Sequence, residues 1–245
     1  MNASTYSDSQ DLNVPQTTQA RSRKIALAGG IFYLLTFVSI PTAVLYTSLR
    51  DPNFITGAGA DNPVIIGAIL EIIVALAGIG TAVALYPVVK RQNESLALGF
   101  VSARTLEAAT IFGGVVSLMT MITLRQSAAG AEALVTGRAL LAIYDWFHLG
   151  QTLIPAVNAA LIGTLVYQAR LVPRILPILG FIAAPLLVAH VIILMFDVSG
   201  PLLTLTTLGV LPIAIWEFSL GVYLTVKGFK PSAITVEYDN REPSL

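Results

Sequence analysis

Six stretches of this chain are each apolar for long enough to cross a lipid bilayer, and no other feature restricts its possible folds so severely. Hydrocarbon holds no water to satisfy backbone N–H and C=O groups, so a helical span must bond its own backbone internally. About 20 residues, each rising about 1.5 Å, cover a core about 30 Å thick. The six stretches run over approximately 25–49, 63–89, 95–124, 139–169, 175–196 and 198–226. They predict an all-α polytopic membrane protein, a bundle of six transmembrane helices with lipid as its principal partner. The first stretch follows basic residues, as a signal peptide does, but it is too long for a signal h-region and five spans follow, so it is expected to be retained.

Composition agrees with this class. Of 245 residues, 55% are hydrophobic and only 11% charged, and the mean hydropathy is +0.77, well outside the soluble globular range. Fourteen basic residues balance fourteen acidic ones, so no overall charge draws the chain to nucleic acid, and none is expected as a partner. There is no cysteine, which excludes disulfides and thiolate metal sites.

Orientation follows from where Lys and Arg lie in the short loops. Arg21, Arg23, Lys24, Lys90, Arg91, Arg170, Arg174, Lys227 and Lys230 fall on one side, against Arg50, Arg125 and Arg138 on the other. Both termini are therefore expected in the cytoplasm, with the chain in the plasma (inner) membrane of a bacterium. Residues 1–21 and 231–245 are polar enough to predict disordered cytoplasmic tails, leaving 22–230 as the transmembrane domain. A faint echo relates Tyr86 and Gly99 in LGFVSA to Tyr167 and Gly180 in LGFIAA. Either spans two and three are a parallel repeat of spans four and five, an arrangement some transporters use, or interfacial tyrosines beside basic turns recur for ordinary reasons, which is the favoured account.

Seven ionisable residues fall inside the spans: Glu71, Arg104, Glu107, Asp145, His148, His190 and Glu217. Each costs at least about 2.5 kcal/mol near the bilayer centre unless it faces protein or enclosed water. Helical rise puts Arg104 roughly 14 Å and Glu217 roughly 15 Å from the cytoplasmic ends of spans three and six. Level with each other, they can pair, and Glu107, one turn from Arg104, can complete a carboxylate–guanidinium–carboxylate network. With one positive charge for two potential negatives, the network is either a packing clamp or a proton site.

The other four lie nearer the outer face, Glu71 roughly 12 Å, Asp145 and His190 roughly 10 Å and His148 roughly 15 Å deep. In span four, Tyr144, His148, Gln151, Pro155 and Asn158 are spaced by threes and fours, one continuous helical face. Glu71, Tyr144, Asp145, His148, Gln151, Asn158 and His190 are thus expected to line an outer-facing polar pocket. No cofactor is expected; zinc on His148, His190 and Asp145 is the alternative, weakened by the absence of HExxH. Pro41, Pro155, Pro185 and Pro212 interrupt spans and free backbone carbonyls. The glycine pairs of LAGGIF and IFGGVV are expected where helices pack closely.

The stretches ALYPVVKRQNESLALGFVSARTLEAA, WFHLG, YQARLVPRILPILGF and LPIAIWEFSLGVYLTVKGF together resemble, over about residues 22–230, a bacterial family of six-span membrane proteins known only as a domain of unknown function. The family pattern favours Arg-x-x-Glu in span three, Phe-His in span four, Pro-Arg before span five, and a Glu in span six followed by Lys-Gly. Arg104 with Glu107, Phe147 with His148, Pro173 with Arg174, Glu217, and Lys227 with Gly228 match it; Glu71, Asp145 and His190 are not carried over. The resemblance implies a fold and no activity. The expected function is small-solute binding or transport, with a small-molecule ligand and a homo-oligomer both admissible as partners. The alternatives are a structural or regulatory membrane component and an intramembrane metal-dependent hydrolase, an enzyme being the less favoured class.

Overall fold

The computed structural model describes residues 19–57, 59–127, 130, 132–196 and 210–240. They form α1 (Gln19–Leu35), a 3-10 turn (Thr36–Ser39), α2 (Thr42–Leu45), a second 3-10 turn (Thr47–Arg50), α3 (Asn62–Val89), α4 (Glu94–Gln126), α5 (Ala133–Gln168), α6 (Ile175–Met195), α7 (Leu211–Val226) and α8 (Ala233–Asn240). There is no strand among the described residues, and five helical stretches are long and apolar enough to span a membrane. α7, 16 residues long, is a shorter apolar helix that falls within the expected sixth span, whose expected start at 198 lies outside the described residues.

The long helices pack in chain order, α1 on α3, α3 on α4, α4 on α5, α5 on α6 and α6 on α7, and α7 closes back on α1. The bundle is therefore a ring of six neighbours. Small residues set the tightest contacts. A Cβ on Gly30 of α1 would stand 2.6 Å from the Thr225 amide nitrogen and 2.8 Å from the Gly221 carbonyl of α7. The ring of Phe147 on α5 occupies the space beside Gly113 of α4. Without a hydrophobic force between helices in lipid, such backbone approach is what dispersion and packing need. Trp216, Tyr33, Phe100, Leu85, Ile162 and Leu165 fill the interior of the ring.

Two expectations about elements are corrected. The first span is not one helix to residue 49. It leaves α-geometry after Leu35 and reaches Arg50 through two 3-10 turns and the four-residue α2, because Pro41 offers no N–H to the Phe37 carbonyl and its ring crowds that turn. The hydroxyls of Thr36 and Thr42 donate to the Tyr33 and Ser39 carbonyls at 2.6 and 2.7 Å. Pro212 does not interrupt a helix but sits in the first turn of α7, where a missing N–H costs nothing.

The chain after Pro231, expected as a disordered tail, forms α8. Ser232 and Thr235 cap it reciprocally: the Ser232 amide donates to Thr235 Oγ1 at 2.8 Å and the Thr235 amide to Ser232 Oγ at 3.4 Å, a short-chain version of the capping box. Its Tyr238, 7% exposed, lies under the guanidinium groups of Arg21 and Arg91 at 4.8 and 5.1 Å. Ser22 donates to Asp239 through both its amide and its hydroxyl, and Arg91 pairs with Glu237 at 2.8 Å. Both ends of the described chain thus meet at the end of the bundle that holds the basic turns. There Arg23 reaches the carbonyls of Leu224, Thr225 and Val226 at the end of α7, acting as a cationic cap. Residues 1–18 and 241–245, the remainder of the expected tails, lie outside the described residues.

Candidate functional site

Along α4 the buried positions Ala97, Phe100, Arg104, Glu107, Ala108, Ile111, Val115 and Leu118 repeat at helical spacing. Arg104 and Glu107 share that inward stripe, so folding α4 as an amphipathic ridge carries both charges into the ring. Arg104 is 2% exposed. Its two terminal nitrogens donate to Glu107 Oε2 and Glu217 Oε1, each at 2.8 Å. Asn158 of α5 donates to the same Glu107 oxygen at 2.7 Å. The guanidinium stands over the rings of Tyr33 and Phe100, at 5.2 and 5.8 Å. One arginine on α4 is thereby tied to α5 and α7 by hydrogen bonds and to α1 by its face.

This network forms one wall of a cavity of about 210 Å³. His148, Gln151, Thr152 and Pro155 of α5 also line it, with Thr36, Phe37 and Ser39 of the first 3-10 turn, Val74, Leu187, Val210, Ile213 and Ala214. Pro155 has no N–H for the Gln151 carbonyl, so a backbone acceptor is left over beside the cavity. Glu107 Oε1 and Glu217 Oε2 accept no hydrogen bond from any described residue. The arginine's two terminal nitrogens, by contrast, are engaged by the acids. The cavity is thus acceptor-rich, with a formal charge of −1 when both acids are ionised and His148 is neutral.

The seven residues expected to share an outer-facing pocket are divided among different surroundings. His148 and Gln151 face the cavity just described. Asn158, 0% exposed, belongs to the Arg104 network. Tyr144 donates to Glu71 Oε1 at 3.0 Å, and this buried acid, 3% exposed, forms a second cluster with the edge-on ring of Tyr46, 5.8 Å from Tyr144. Tyr46 was missed by sequence reasoning; its signal is Gly67, one turn from Glu71, where any Cβ would collide with the Tyr46 ring. Tyr144 also stacks on His148 at 5.9 Å, so the two clusters adjoin through one pair of rings.

Asp145 is not part of the cavity wall. Arg50 grips it through two nitrogens at 2.8 and 2.7 Å, with both side chains well exposed, and the Asp145 hydrogen bonds hold the Arg50 guanidinium above its ordinary pKa. His190 is buried on α6 and lies outside the cavity wall. Among the described residues no three His, Asp or Glu side chains gather as metal ligands; of the alternative zinc set, Asp145 is committed to Arg50. At the same end of the bundle Arg125 pairs with Asp61 at 3.2 Å and donates to the Gly57 and Gly59 carbonyls, its guanidinium 4.7 Å from the Phe54 ring.

A family model described as "Domain of unknown function (DUF4386)" matches residues 28–228. No curated protein and no solved structure matches the chain.

Proposed function

We propose, from the premise that this chain belongs to the DUF4386 family of unknown function, that it binds a small polar solute in the cavity at mid-depth of the bundle and moves it in exchange with a proton. The observation that carries this reading is that the Arg104–Glu107–Glu217 network lines the same cavity as His148 and Gln151. A purely structural clamp has no need of an adjoining cavity, since desolvated charges are most stable when every lone pair is occupied. With two carboxyls and one guanidinium the network is neutral only when one carboxyl holds a proton. Loss of that proton, or arrival of a solute, changes the charge at membrane depth, which is the elementary event of proton-coupled transport.

The test uses purified protein reconstituted in liposomes with an imposed pH gradient, screened for solute-dependent proton movement. Glu217→Gln and His148→Ala are expected to abolish any such signal while the protein stays folded. An unchanged signal in both variants would sink the reading. A second reading is supported by the burial of Arg104 between four helices: the network serves to fix how α1, α4, α5 and α7 pack. It predicts lowered thermal stability in the same variants with no solute-dependent effect in the native protein.

A further inference from the structure

We infer that the cavity's ligand is a small organic cation bearing N–H donors, a primary or secondary ammonium, which takes the place of the proton on the Glu107/Glu217 pair. This rests on the binding reading above and narrows it to a chemical class.

The argument is a count of what the wall offers. Arg104 Nη1 and Nη2 are each directed at an acid, so an anionic ligand would compete with two carboxylates for the one arginine among the described lining residues. Glu107 and Glu217 both line the cavity, and neither Glu107 Oε1 nor Glu217 Oε2 takes a hydrogen bond from a described residue. The Gln151 carbonyl, left over by Pro155, adds a third acceptor. Acceptors without a protein donor are matched by a ligand that supplies N–H groups, where a carbonyl or carboxylate ligand would add only further acceptors. Phe37, which packs edge-on against Phe218 at 5.4 Å, gives the wall an aromatic ring, a surface suited to an ammonium group and its alkyl stem.

Charge balances in a one-for-one exchange. The pair with one proton and Arg104 is neutral; the proton leaves, the ammonium enters, and the site is neutral again. The titratable and charged groups that bear on this are Arg104 and Glu107 from α4, Glu217 from α7, His148 from α5 and Tyr33 from α1. The 3-10 turn, α3 and α6 contribute only Thr36, Phe37, Ser39, Val74 and Leu187 to the wall. A proton added to Glu107, Glu217 or His148 makes the wall less negative or more positive, and each such change opposes a cation.

Three probes of matched size separate the outcomes: benzylammonium, benzyl alcohol and benzoate, each titrated calorimetrically into the purified full-length protein in detergent. Benzylammonium is expected to bind saturably, to weaken as pH falls, and to lose about tenfold or more in affinity in Glu217→Gln, since a hydrogen bond to a charged group is removed. Should that variant not fold, the pH dependence in the native protein carries the test. Binding of benzyl alcohol or benzoate in preference to benzylammonium would overturn the cation assignment and leave the cavity as a solute site. Heat from none of the three would overturn both.

Discussion

Arg104 concentrates the energetics of the molecule in one side chain. It is almost fully desolvated, and what offsets that cost is the pair of carboxylates at 2.8 Å together with two aromatic faces. Arg104→Met leaves Glu107 and Glu217 without their counter-ion, and breaking a buried ionic network by deleting one partner costs about 3–5 kcal/mol. Protonation of the stranded acids relieves the repulsion, so the loss is expected to be greatest at alkaline pH and to shrink as pH falls. Glu217→Gln keeps the Arg104–Glu107 pair and should cost about 1–3 kcal/mol. Thermal unfolding of the two variants across a pH series checks both the ranking and the sign; a smaller loss for Arg104→Met than for Glu217→Gln would contradict the network as described. Lysine at 104 is no substitute, because an ammonium cannot present two planar donors to two carboxylates at once.

At the scale of elements, the end of α7 shows how a cap made by a distant residue depends on a glycine. Gly228 has φ +77° and receives the turn that closes α7, its amide and that of Lys227 both donating to the Tyr223 carbonyl. A Cβ there would stand 2.7 Å from Cδ of Arg23, the residue whose guanidinium holds the last three carbonyls. Gly228→Val therefore combines a left-handed backbone strain of about 1–2 kcal/mol with displacement of Arg23, while Arg23→Ala removes only the cap. The valine variant is expected to unfold at the lower temperature of the two, and the reverse order would show that Arg23 does not depend on Gly228. Such contacts explain the limits of the sequence analysis at this scale. Span positions were legible because hydropathy alone fixes them, and Pro41 was legible as an interruption, whereas the change to 3-10 geometry already at Thr36 lies inside an unbroken apolar run. α8 is only eight residues long and polar, so its signal was not hydropathy but the Ser232–Thr235 spacing after Pro231.

For the whole molecule, the ring closure of α7 on α1 brings together charges that a linear count keeps apart. The depths of Arg104 and His148 were counted from opposite faces, roughly 14 and 15 Å, and in a core about 30 Å thick those are the same level. His148 and Gln151 of the outer set therefore share one cavity with the Arg104 network, while Glu71 and Tyr144 form their own cluster, Asp145 pairs with Arg50 and His190 lies outside the cavity wall. The asymmetry of basic residues acts at this scale too. Arg125 is bound to Asp61 and the loop carbonyls and Arg50 to Asp145, so two of the three arginines at the end opposite the termini are locally neutralised, while Arg21, Arg23 and Arg91 hold α7 and α8 at the other. If this bias orients the protein, both termini face the cytoplasm. The absence of cysteine from the chain makes that directly measurable with single substitutions at exposed positions. Ser127→Cys, just after α4, should react with a membrane-impermeant maleimide added outside intact cells, and Lys230→Cys, just after α7, only once the membrane is permeabilised. Labelling of Lys230→Cys alone in intact cells would invert the assignment, and labelling of both would mean that the bundle inserts in two orientations.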